Sequence, residues 1–124
     1  MLVARLAPDF RARDHRLLGW GTTISDAATF VRAQQALIEL APDARYRIDH
    51  VRVRGRVCLL ESVQEGTREG GRFENPMLAV LEYDEDGRTV SMEVYDTAQL
   101  EQARARFEEL SASNDGGAAA GGSR

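Results

Sequence analysis

The chain has 124 residues, 43% hydrophobic and 29% charged, with a formal charge of −4. That length bounds it to one domain around a single core. The acidic balance excludes nucleic acid and anionic membranes as main partners, since neither phosphate backbones nor anionic lipids attract it.

All 16 basic residues are arginine. With no cluster standing out along the chain, they read as the coding bias of a GC-rich genome. The single cysteine, Cys58, cannot form an internal disulfide and lies in an apolar run, so an inert buried thiol is expected. No residue spacing suggests a metal, and no motif suggests an organic cofactor. No run has transmembrane length and no leader pattern opens the chain, so a cytoplasmic location is the expectation.

Met1 to Leu6 reads as the last turn of a helix stopped at Ala7-Pro8, as though most of a first helix were truncated. Phe10 to His15 alternates as a short strand, with Phe10, Ala12 and Asp14 inward and Arg11, Arg13 and His15 on the other face. The Gly19-Trp20-Gly21 turn follows. Ser25 is placed to cap a helix to about Leu40, with Phe30, Ala33, Leu37 and Leu40 as its buried stripe.

Four strands come next. From Ala44 to Val53, Tyr46 and Ile48 share a face, and the pattern then shifts phase to Val51 and Val53, predicting a bulge near Asp49-His50. Arg54-Gly55 is a turn, and Val57 to Gln64 begins so apolar that both faces should be covered. Glu69-Gly70-Gly71 turns into Phe73 to Tyr83, which Asn75-Pro76 marks as starting at an edge or bulge. Asp84-Glu85-Asp86-Gly87 is a further hairpin turn before Thr89 to Tyr95. Asp96 and Gln99 form a capping-box pair for a last helix with Leu100, Ala103, Phe107 and Leu110 as its stripe. This sets the domain at residues 1–111, and the Gly/Ala/Ser-rich residues 112–124 read as a disordered tail.

The order of elements, with the segments FRARDHRLLGWG and DGRTVSMEVYD, resembles the nuclear transport factor 2-like (NTF2-like) superfamily and within it the SnoaL-like domains. That group includes polyketide cyclases and is similar to ketosteroid isomerases and limonene epoxide hydrolases. The DHRLLGWG and YRIDHVRVRG segments also look like domains appended to larger actinobacterial regulators. The resemblance, over Met1 to Leu110, implies an α+β fold: a curved antiparallel sheet wrapped round helices as a cone. It also implies a homodimer through the outer sheet face, where Ser91, Glu93 and Tyr95 would make contacts, and association or weak stability from sheet surface that a missing first helix leaves bare.

The resemblance places Asp14 where the isomerases keep the aspartate that moves the proton, and Met92 at their pocket methionine. Ala79 stands where they place the acid that donates to the oxyanion, and the helix carrying their tyrosine has no counterpart here. The epoxide hydrolase triad would need Asp14, Asp49 and Arg47 together, which alternation opposes. Candidate catalytic residues are thus Asp14 as base with His15 assisting. Candidate ligand-binding residues are Phe10, Trp20, Tyr46, Cys58, Leu60, Met92 and Val94. Trp20 serves equally as a stacking platform or as a lid on the core, and His50, at the bulge, is equally ambiguous. Three functions stay open: a domain that binds an apolar small molecule or dimerises, an acid–base enzyme on an apolar cyclic substrate, and an interaction module whose cone is filled.

Overall fold

The computed structural model describes residues 6–16, 23–24, 26–40 and 42–119; of Thr23, Ile24, Gln34, Leu37, Ile38, Leu40 and residues 114–119 only the backbone is described. The elements are β1 (Leu6–Asp14), β2 (Thr23–Ile24), α1 (Ala27–Leu40), β3 (Arg45–Arg54), β4 (Val57–Arg68), β5 (Gly71–Tyr83), β6 (Thr89–Tyr95) and α2 (Leu100–Ala119). The strands form one sheet in the order β2-β1-β6-β5-β4-β3. Neighbours are antiparallel except β1 and β6, which run parallel. The result is a curved sheet with helices, an α+β cone.

Turn chemistry fixes the long β4–β5 hairpin. Glu69 and Gly70 both take positive φ, 52° and 81°, the geometry whose twist matches that of the flanking strands, and Arg68 pairs with Gly71 across them. Pro76 is accommodated within β5 because β6 pairs with β5 only from Leu78 onward, so on that side Pro76 owes no ladder bond. The strand therefore starts at Gly71, two residues before the expected Phe73, and β4 runs on to Arg68 rather than stopping at Gln64.

The bulge in β3 falls where the phase shift placed it. Ile48 pairs with Ser62 and His50 with Glu61, so Asp49 is the extra residue. Its effect is to keep Tyr46, Ile48, Val51 and Val53 on one face, beside Gln64, Ser62, Leu60 and Cys58.

The two sheet faces differ in their cover. Val57, Leu59, Leu78, Val80 and Tyr95 pack under Ala103 and Phe107 of α2, with Leu100 and Leu110 at the margin. On the other face Phe10 and Ala12 pack with Phe30 of α1, their ring pair 5.1 Å apart, and Met92 joins them to Cys58, Leu60, Ala79 and Leu81. Both faces of Val57 to Leu60 are thus buried, as their composition predicts.

Several expectations are corrected. Leu6 belongs to β1 and not to a helix; the ladder is irregular between Leu6 and Arg11, so Pro8 disrupts no regular pairing there. Residues 1–5 lie outside the described residues. Asp26 caps α1, its Oδ1 accepting from the Thr29 backbone N–H at 2.7 Å, and the expected cap Ser25 lies outside the described residues. Ala33 is exposed, while Phe30 is buried. Helix α2 passes Leu110 and continues to Ala119, and Ser111 extends the buried i, i+4 row of Ala103 and Phe107 by a turn. Tyr95 and Glu93 are not available as subunit contacts, because α2 of the same chain covers them.

Candidate functional site

Adjacent residues at the end of β1 divide between the two faces. Asp14 pairs with Val94 and lies on the face shared with Ala12 and Met92. Its side chain is fully buried and is held by Arg16 two residues on. Asp14 Oδ1 accepts from the Arg16 backbone N–H (3.0 Å) and Nε (2.9 Å), and Oδ2 from Nη2 (2.7 Å). This is a two-pronged, charge-assisted pair closed over a local turn. Arg16 is itself mostly buried, and the hydrogen bond to Asp14 raises its affinity for its proton further. Its charge is also felt by Asp96 and by the Tyr46 phenol. Nη1 makes no hydrogen bond among the described residues.

His15 lies on the α2 face. Its ring stacks on Tyr95, centroids 4.4 Å apart and 4° from parallel, and Nε2 is 2.8 Å from Glu93 Oε1. The same carboxylate accepts from the Tyr95 hydroxyl (3.2 Å) and from Arg106 Nε of α2 (2.8 Å). Burial would raise the Glu93 carboxyl, but hydrogen bonds from His15 and Arg106 outweigh it and hold the carboxyl below its usual range. Burial and the Glu93 charge together push the Tyr95 phenol well up. Gln99 completes the clamp. Its Oε1 accepts from the Asp96 N–H (2.7 Å) while its Nε2 donates to the His15 carbonyl (3.1 Å). The backbone leaving β1 is thereby tied to the start of the last helix.

The remaining candidates distribute along the Asp14 face. Phe10, Cys58, Leu60 and Val94 are buried on it, and Met92 is partly buried. Burial pushes the Cys58 thiol up, which keeps it protonated and unreactive. Tyr46 lies on the same face at the outer strand and is 42% exposed. Trp20 lies outside the described residues. Arg47 and Asp49 bond each other at 2.9 Å, both exposed and on the outer strand, so they do not converge with Asp14. His50 is exposed on β3 beside the bulge. Among the described residues, no group of three or more His, Cys, Asp or Glu is arranged to hold a metal, and no helix is long and apolar enough to cross a membrane.

The sequence reading did not single out Arg16 or Arg106, and it took Glu93 for a subunit contact. Arg16 was findable, because an arginine two residues after a strand-end aspartate can fold back on it. Glu93 shares its face with His15 by alternation along β6 and β1, but nothing local shows that the face is covered. Arg106 depends entirely on where α2 lands.

Known structures share this fold. A protein assigned as a SnoaL-like polyketide cyclase from Jannaschia sp. CCS1 superposes with a TM-score of 0.62 at 14% identity, over 82% of this chain and 73% of its own. A protein with a ketosteroid isomerase-like fold from Catenulispora acidiphila, solved with trimethylamine, gives 0.64 at 19% identity, over 75% and 70%. An NTF2-like protein of unknown function from Burkholderia pseudomallei gives 0.62 at 20%, over 82% and 81%. The fold is that of the NTF2-like superfamily. No protein-family model and no curated protein matches the chain.

Proposed function

We propose that residues 1–111 form a small-molecule-binding domain of the SnoaL-like kind, taking an apolar ligand that carries one hydrogen-bond acceptor. The observation that carries this reading is the composition of the Asp14 face. Four strands supply Phe10, Met92, Val94, Ala79, Leu81, Cys58 and Leu60, with the buried Asp14–Arg16 ion pair at one end and buried Ser62 and Gln64 farther along β4. Apolar walls with a few fixed polar groups are the usual make-up of a small-molecule site. In this reading Arg16 donates from Nη1, Asp14 holds the guanidinium in place, and Tyr46 stands at the rim.

Asp14 as a general base is the competing reading, and the geometry favours it less. Both carboxylate oxygens are engaged by Arg16, so taking a proton would break that fork. His15, the expected assistant, is on the opposite face beside Glu93. A shared outer-face dimer also loses support, since α2 occupies the middle of that face.

Native mass spectrometry of the freshly purified chain, followed by thermal-shift titration with a panel of apolar cyclic ketones, tests the proposal. Binding is expected, and it should be lost in Leu60→Trp, which fills the face, and weakened in Arg16→Met. Binding that Leu60→Trp leaves unchanged would place the ligand elsewhere. Turnover of any probe that Asp14→Asn abolishes while binding persists would replace the proposal with the enzymatic reading.

A further inference from the structure

We propose that the outer edge of β3 docks an extended segment of a partner protein in which acidic and apolar residues alternate. Three features of this one strand meet there. First, β3 closes the sheet order and its outer side has no strand partner among the described residues, so a row of backbone donors and acceptors faces outward over ten residues. Second, Tyr46, Ile48, Val51 and Val53 on one face are 42%, 51%, 55% and 66% exposed, the only large apolar side chains so exposed among the described residues. Third, the other face is basic. Residues 45–56 contain five arginines against one acid, Asp49, in a chain whose net charge is −4.

Five of the 16 arginines thus fall within twelve consecutive residues, a cluster that the sequence reading passed over. Arg45 and Arg47 reach Glu65, Arg47 also reaches Asp49, and Arg54 reaches Glu108 of α2. Arg52 and Arg56 have no carboxylate partner among the described residues. The row therefore keeps unmatched positive charge after its internal pairs are counted.

One occupant satisfies all three features. A strand added to this edge continues the ladder, sets its apolar residues beside the exposed stripe, and sets its alternate residues beside the guanidinium groups. Acidic side chains at those positions are the complementary choice. The bulge at Asp49 matters here, because it keeps the apolar stripe and the arginine row each on a constant face along the strand. A second copy of the chain fits poorly. Antiparallel pairing about the strand midpoint sets Arg45 near Arg54 and Arg47 near Arg52, an arrangement that edge strands use to prevent self-association.

The test uses the full chain and three probes: a capped peptide of alternating glutamate and valine, a peptide of the same composition with the glutamates in one block, and single-stranded oligothymidylate. Affinity is read by fluorescence anisotropy, and the site by NMR amide exchange. The alternating peptide is expected to bind, to slow exchange along β3, and to bind at least about tenfold more tightly than either control. Arg47→Glu combined with Arg52→Glu should weaken it by about tenfold and should improve binding of an alternating lysine–valine peptide. Should the double variant fail to fold, Arg52→Glu alone, which breaks no internal ion pair, carries the same reversal at smaller size. Absent binding overturns the proposal. So does equal binding of the blocked peptide or the oligonucleotide, which would mean charge alone or nucleic acid. A concentration-dependent dimer that protects β3 without peptide would give the edge to a second copy.

Discussion

The two faces of this sheet are finished in different ways. Under α2, Tyr95 and Phe107 are each 1% exposed, and Glu93 joins strand, loop and helix through His15 and Arg106. At the β3 end of the other face, four apolar side chains stand 42–66% in solvent. Burial is the main source of stability, so the first region should govern whether the chain folds. The second contributes little to folding and leaves surface available for recognition.

Substitutions can break this contrast. The largest effect is expected from Phe107→Ala, which empties the space between α2 and the sheet and should cost about 3–5 kcal/mol. A urea melt measures it, and a loss below about 1 kcal/mol would show that α2 is only loosely seated. Glu93→Gln should follow at about 1–2 kcal/mol, with a pH signature. Because the folded carboxyl sits below its ordinary range, its contribution is fully present above the unfolded value of about 4.3. It fades as the pH falls through the lower folded value. The difference between wild type and variant should therefore close in acid, and a difference independent of pH would make the clamp irrelevant to stability.

Smaller effects sharpen the same comparison. The Ser111 hydroxyl, on the buried side of α2, has no hydrogen-bond partner among the described residues, so Ser111→Ala should stabilise by about 0.5–1 kcal/mol, read as a raised Tm. Val51→Thr and Val53→Thr should fall within about 0.5 kcal/mol of wild type. A larger loss at either valine would mean that the stripe is covered in solution.

How much of this was legible beforehand follows from what each signal encodes. Alternation at Phe10, Ala12 and Asp14, the phase shift at Asp49 and the Gly-bearing turns are local, so they read directly from the residues. The capping pair at Asp96 and Gln99 announces a helix but not the surface on which it lands. For that reason Tyr95 and Glu93 read as outward-facing when α2 covers them. Alternation divides a strand into two faces without saying which is covered. The Asp14–Arg16 pair is local in sequence yet was missed, because strand alternation says nothing about the residue that turns back after the strand ends. Ser111 escaped for a related reason: its polar type and its Ser/Ala-rich surroundings hide a buried helical position.

The extra residue at Asp49 has a genetic consequence. It acts as a frameshift in side-chain direction, restoring the pattern that a plain ten-residue strand would lose halfway. Single-residue deletion there would remove the bulge along with it: Ile48 and His50 would become neighbours paired with Ser62 and Glu61, and Tyr46, Ile48, Val51 and Val53 would stay on one face of a plain nine-residue strand. Homologous chains should therefore either carry the extra residue with its bulge or lack both, and a one-residue gap in their alignments should fall at this position rather than elsewhere along β3.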